Sequence, residues 1–367
     1  KERMKKSFED YAESAIKANR LFAGLDSLSF LAINLCIVAI LWIGGNRVGA
    51  GFMEIGDITA VTEYAILILY YLIMAQMVII LLPRAGICIE RIKEVLTSEP
   101  EIHDGKRKIV TANKDNPDII SFKNMTFRFA DADEDTLYNL KFTCKRGQTT
   151  AIIGSTGSGK STIAKLIMRF HDATRGSILL NGQDIRNISQ KDLRDHIAYV
   201  PQQAWLFSGT IADNLRYGNE DATEGEMYHA LEVAQASFVE NLEDGLNAKV
   251  AQGGTNFSGG QKQRLSIARA LVKKADIYIF DDSFSALDFK TDAALRKALA
   301  KETKDSAVLI IAQRINTILN ADQIIVLDNG KVVGMGTHKE LMESCTVYQE
   351  IAKSQLKGDV ENVKEKK

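Results

Sequence analysis

No sign of charge dominates this chain. Its 46 Lys and Arg against 47 Asp and Glu in 367 residues leave a formal net charge of -1, so no basic excess points to a nucleic-acid partner. Cysteines are few and scattered. Cys36, Cys88, Cys144 and Cys345 form no close-spaced pair, which removes the spacing of a zinc site or a disulfide framework and leaves reduced thiols facing cytosol or lipid. Missing too are an initiator Met and the charged, apolar, then small pattern of a secretory leader. The opening Lys1-Glu-Arg-Met-Lys-Lys6 therefore reads as a piece of a longer protein. No internal repeat or low-complexity tract is present. What remains is an ordinary folded composition, 46% hydrophobic, with room for two or three domains.

That average hides a sharp change along the chain. Residues 27–45 and 64–83 are almost wholly apolar for roughly the 20 residues a helix needs to cross a bilayer. Buried core helices are the alternative, but such helices seldom run so long without a charge. Lys1, Arg3, Lys5, Lys6, Lys17 and Arg20 precede the first span and Arg84, Arg91 and Lys93 follow the second, whereas the connection holds only Arg47. This asymmetry predicts that both outer ends are cytoplasmic. Two spans cannot by themselves shield a polar pathway, so further helices are expected upstream or in a partner. Asn34 and Gln76 are polar positions within the spans; such uncharged side chains more often bond a neighbouring helix than line a cavity. Residues 1–96 thus read as the end of a membrane domain, and 97–117, mixing charge, Pro and Gly without periodicity, as a linker.

From 118 to 356 the pattern becomes α/β, with short apolar runs alternating with amphipathic helical segments. Strands are expected near 119–122, 149–153, 197–200, 277–280, 308–311 and 323–327, and helices over 161–170, 224–235, 258–272, 291–300 and 339–344. The charged tail 357–367 is expected to be disordered.

The strongest chemical signal is Gly154-Ser155-Thr156-Gly157-Ser158-Gly159-Lys160-Ser161. Its glycines allow successive backbone N–H groups to turn around phosphate oxygens, Lys160 supplies a cation for the outer phosphates, and the Ser161 hydroxyl is suited to Mg²⁺. A strand before it and a helix after it place a helix N-terminus under the phosphates. A second strand, 277–280, ends in Asp281 and Asp282. The first acid sits where a nucleotide's Mg²⁺ needs an oxygen ligand, and the second where an acid would polarise attacking water.

With Phe257-Ser258-Gly259-Gly260-Gln261 added, the chain resembles ATP-binding cassette (ABC) proteins along essentially its whole length. The resemblance implies a P-loop NTPase domain with a helical subdomain, ATP and Mg²⁺ as ligands, and a head-to-tail dimer. In that dimer Ser258, Gly259, Gly260 and Gln261 would face the partner's ATP, while Gly154 to Ser161 and Thr162 hold the chain's own. A plain helix cap is the other role open to Ser258. Val200-Pro201-Gln202 resembles the glutamine loop, giving Gln202 a contact with Mg²⁺ or water. Phe129 stands where the family stacks an aromatic, more often Tyr, on adenine; stacking needs only a π face. Ser285-Ala-Leu-Asp288 matches the D-loop. Gly56-Asp-Ile-Thr59 and Glu90-Arg-Ile92 resemble the pattern around the last two of six spans in exporter half-transporters, implying four earlier spans, with residues 1–20 extending the fourth into the cytoplasm.

Departures from the pattern carry the sharper expectation. The family places Glu where Asp282 stands, one methylene longer, and His where Gln313 stands in Ala312-Gln313-Arg314. Gln313 can donate a hydrogen bond but cannot take up a proton. Both changes strike the same water and γ-phosphate, while the signature is intact. The expectation is a heterodimeric exporter in which this chain's own site is slow and its signature completes an active site on the partner. Gln252, in Val250-Ala-Gln-Gly-Gly254, replaces the Glu of a loop that in exporters touches the membrane domain. The resemblance places the protein, multi-pass, in a bacterial plasma membrane, with an amphipathic cargo. A peptide or lipid exporter, a homodimeric drug exporter and a soluble regulatory ATPase are the alternatives.

Overall fold

The computed structural model describes residues 2–109 and 117–364, and the chain divides into two compact units, residues 1–100 and 101–367. Lys1, part of the linker (110–116) and the end of the tail (365–367) lie outside the described residues, as does the side chain of Gln76.

The first unit is a helical hairpin, α1 (Glu2–Gly49) and α2 (Ile55–Leu96), turned through residues 50–54. Glu54 and Asp57 form a reciprocal capping box that starts α2. Close approach near the turn follows from Gly44, where a Cβ would stand 2.9 Å from the Ile58 side chain. Leu31, Leu35, Val38, Trp42, Ile68, Leu72 and Ile79 are exposed. Both helices are long and apolar enough to cross a membrane. The Asn34 amide is satisfied within its own helix, donating to the Phe30 carbonyl at 2.7 Å. That is the local bonding expected of a polar side chain without a dedicated pathway role.

The second unit runs β1 (Asp118–Phe127), β2 (Leu137–Lys145), β3 (Thr149–Gly154), α3 (Lys160–Ile167), β4 (Arg175–Leu180), β5 (Gln183–Asp184), α4 (Gln190–Asp195), β6 (Ile197–Val200), β7 (Gly209–Thr210), α5 (Ile211–Arg216), α6 (Glu224–Val233) and β8 (Lys249–Val250). It continues with α7 (Gly259–Val272), β9 (Ile277–Asp281), α8 (Phe289–Glu302), β10 (Ala307–Ile311), β11 (Gln323–Asp328), β12 (Lys331–Gly336), α9 (His338–Ser344) and α10 (Thr346–Lys364). A six-stranded sheet of order β12-β11-β3-β10-β9-β6, parallel except at β12, packs beside an antiparallel sheet of order β2-β1-β4-β5.

Strand alternation sends side chains of the large sheet into two cores. Ile152, Ile279, Leu309 and Leu327 join Ile163 of α3 and Phe122, Leu140 and Phe142 of the antiparallel sheet. Ile153, Phe280, Ile310 and Val326 join α6, α7, α8 and Tyr348 of α10 on the other face. Burial on both faces explains why these strands read as unbroken apolar runs. Each fully buried Leu or Ile contributes about 1.5–3 kcal/mol. Cys144 lies in the first core, where burial pushes its thiol up to about 12 and leaves it unreactive.

Two expectations change here. The tail from Lys357 continues α10 to Lys364 instead of leaving the fold as a disordered segment; its residues include good helix formers such as Lys and Glu, and α10 is already seated by Tyr348. Residues 103–109, expected in an irregular linker, are bound to the second unit through polar groups. Buried Arg169 donates to the carbonyls of His103 at 2.8 Å and Ile188 at 3.2 Å, the Arg107 N–H donates to Asn187 at 2.9 Å, and Asp104 accepts the Gln190 N–H at 2.6 Å.

His196 and Asp276 tie the entry of β6 to that of β9, with Nδ1 2.9 Å from Oδ2. The hydrogen bond to Asp276 raises the imidazole, and the same bond holds the Asp276 carboxyl below its usual range. Stability from the imidazole is therefore full below the ordinary value of 6.5 and is lost as pH rises through the raised value; that from the carboxylate is lost only as pH falls below 3.8. On alkaline titration the melting temperature should fall by roughly 1–2 °C more in the native chain than in His196→Gln, a size set by partial exposure. Calorimetry across neutral pH checks this; parallel curves would exclude the pair as the cause.

Candidate functional site

Parallel register brings the functional side chains to one edge. Ile152 of β3 and Asp281 of β9 both pair with Ile311 of β10, so the carboxyl ends of these strands open on the same side. In an open α/β sheet this is where ligand crevices form. Residues 154–161, 281–282 and 313 lie at these strand ends, and Gln202 follows β6, whose Val200 pairs in parallel with Phe280 of β9.

Gly154 has no room for a side chain, since a Cβ would meet the Leu327 carbonyl oxygen at 2.0 Å. Gly157 and Gly159 have φ of 84° and 95°, which only glycine adopts freely, and Gly159 directly precedes α3. The loop thus ends on a helix N-terminus. Lys160 Nζ donates to the carbonyls of Gly154 at 2.9 Å and Ser155 at 2.7 Å, lying folded across the loop. The Ser158 hydroxyl is buried without a partner among the described residues. An unpaired polar atom in an otherwise satisfied loop fits a site built for an oxygen-rich ligand.

Ser161 Oγ donates to Asp281 Oδ1 at 3.0 Å, so the hydroxyl and the carboxylate lie side by side, as two oxygen donors to one hard cation would. Tyr199 of β6 donates to the other Asp281 oxygen at 3.2 Å. Gln202 Nε2 donates to Asp282 Oδ2 at 2.9 Å. Burial raises both carboxyls and lowers Lys160, the acids in turn favouring the charged lysine. Asp282 has φ 47°, a left-handed conformation that Asp tolerates better than longer side chains. Gln313 is exposed just beyond the end of β10.

Phe129 is half-buried, edge-on to Phe127 at 4.7 Å and to His171 at 5.3 Å. Ser258 caps α7 in a reciprocal box, its Oγ accepting the Gln261 N–H while Gln261 Oε1 accepts the Ser258 N–H at 2.8 Å. Gly259 has open space where a Cβ would be, and Gly260 faces the Ala286 carbonyl. The cap and the open glycine face coexist, because capping uses the serine's side chain and leaves the glycine surface exposed. Sequence reasoning missed Tyr199 and His171, whose contacts span many residues and carry no local signal.

The family model for the ABC transporter matches residues 137–285. This segment holds the phosphate loop, the signature and Asp281. The chain carries an ABC transporter ATPase domain. An uncharacterised ABC transporter ATP-binding protein of Mycobacterium tuberculosis is 44% identical over 356 residues, 94% of this chain and 59% of that protein. An ATP-dependent lipid A-core flippase of Photobacterium profundum is 40% identical over 268 residues, 72% of this chain and 45% of its own length. The solved structure of a bacterial Atm1-family ABC exporter with ATP bound superposes with a TM-score of 0.82 at 32% identity, covering 94% of this chain and 60% of that one. The chain thus has an ABC exporter fold, and it spans 59% of the length of the first curated relatives it matches.

Proposed function

We propose that this chain is the ATP-binding subunit of a heterodimeric ABC exporter in a bacterial plasma membrane, with its own ATPase site slow and its signature serving the partner's site. The observation that carries this is the coincidence of Asp282 and Gln313 at one crevice with an intact, exposed Ser258-Gly259 face. Residues 154–162 would hold the triphosphate, with Phe129 against the base. Ser161 and Asp281, with Gln202, would hold Mg²⁺, which neutralises charge developing on the β- and γ-phosphates. Asp282, one methylene short and already bonded to Gln202, polarises water poorly; Gln313 donates to the γ-phosphate without accepting a proton.

Coupling to the spans would begin inside the ATPase unit, where the segments carrying Gln202 and Gln252 are joined. β7 pairs with β8, so the stretch after Gln202 is laddered to the loop carrying Gln252, and a Cβ on Gly253 would lie 3.2 Å from the Trp205 ring. Movement at Gln202 would therefore reach Trp205 and Gln252 together. The likeness to lipid A-core flippases supports an amphipathic, lipid-like cargo, and further spans would complete the pathway.

The assembled pair tests this asymmetry. Asp282→Asn should leave total ATP hydrolysis within about twofold, because the partner's site carries turnover, whereas neutralising the partner's catalytic acid should stop it. Equal losses from both substitutions would rule the asymmetric model out.

A further inference from the structure

The last helix reaches back to the position of Gln313. Gln355 of α10 sets both ends of its carboxamide on the loop after β10: Nε2 donates to the Gln313 carbonyl at 2.7 Å and Oε1 accepts the Ile315 N–H at 2.8 Å. A carboxamide is suited to this because it carries a donor and an acceptor on one planar group. The loop is anchored before and after this point, by Ala312 N–H on the Ile152 carbonyl at 3.0 Å and by Arg296 on the carbonyls of Asn316 and Thr317 at 3.1 and 3.2 Å. Gln355 spans the stretch between those anchors. Its own position is set by Tyr348 and Ala352, both fully buried and spaced to share a helix face with it, with the Tyr348 hydroxyl 2.8 Å from His338 Nδ1. The Asp282 N–H donates to the Ile311 carbonyl at 2.8 Å, just ahead of the clamped stretch, so that loop leaves the sheet beside the crevice.

We propose that Gln355 is a positioning residue that holds the Gln313–Ile315 backbone so that the Gln313 side chain meets the terminal phosphate of ATP. Seating of α10 then becomes a condition for telling ATP from ADP at this chain's own site. The proposal rests on the γ-phosphate role given to Gln313 above.

The test uses the full assembly with the partner's phosphate-loop lysine replaced, so that only this site binds, and measures ATP and ADP affinities. Gln355→Ala and the similarly sized Gln355→Met should each weaken ATP roughly fivefold, the worth of about one hydrogen bond, and leave ADP unchanged. Gln313→Ala should do the same, and the Gln313→Ala, Gln355→Met pair should lose no more than either alone. If Gln355→Met binds like the native chain, or weakens both nucleotides equally, the side chain only packs and the clamp is refuted. A Gln313→Ala loss of discrimination with none in Gln355→Met overturns the clamp alone. Unchanged discrimination in Gln313→Ala overturns the γ-phosphate role first, and the clamp with it.

Discussion

Lys160→Ala is expected to weaken ATP binding at this chain's site by about 10²-fold, the loss of hydrogen bonds from a charged donor worth ~1.5–3 kcal/mol each. The ammonium lies across the loop on the Gly154 and Ser155 carbonyls, next to the unpaired Ser158 hydroxyl, where a phosphate would draw it away from backbone. Burial disfavours its charge and the nearby Asp282 and Asp281 only partly offset this, so an arriving phosphate would add favourable charge beside it. Its hydrogen bonds are confined to the loop, hence the fold should survive and melting should shift little. Equilibrium binding, with nucleotide protection of the lysine as a second readout, checks the result. Retained affinity in the Lys160→Ala, Ser161→Ala double variant would remove the basis of the whole functional reading.

The second large effect is a gain. Asp282→Glu combined with Gln313→His should raise hydrolysis at this site by about 10²-fold, the lower range of what a placed general base contributes. Glu extends the carboxylate by one methylene beyond the reach at which Asp282 is now bonded to Gln202 at 2.9 Å, and His restores a group that accepts a proton. Glu at φ 47° pays somewhat more backbone strain than Asp, roughly 1 kcal/mol, which trims stability without cancelling the gain. Single-site turnover, with the partner's site disabled, is the measurement. A native chain that already hydrolyses ATP rapidly as a homodimer, with no response to the pair of substitutions, would show that the site was never slow.

Much of the fold was legible because long apolar segments carry their own period. The parallel strands 197–200, 277–281 and 307–311 and the helix after Ser258 emerged near their observed bounds, whereas the apolar stretches 27–45 and 64–83 lie inside much longer helices of 48 and 42 residues. Strands β2, β4 and β12 did not emerge, although at 9, 6 and 6 residues they are no shorter than those parallel strands; they are more polar runs whose partners supply the other half of their burial. The six-residue helices α4 and α5 are too short to show a period. Residues 103–109 escaped for another reason: backbone groups answered by Arg169 and Asp104 leave no trace in hydrophobic pattern.

Alone, the sequence determined the chemistry available: a phosphate loop, two adjacent acids, a signature, and two substitutions that remove reach and basicity. Tertiary structure decided which of these groups meet. Parallel register carries Ser161 to Asp281 across 120 residues and Gln202 to Asp282 across 80, and the packing of α10 brings Gln355 to Gln313 across 42. Local preference extends only a few residues along a chain, whereas hydrogen bonds of this kind exist only once packing has brought distant strand ends and helices together.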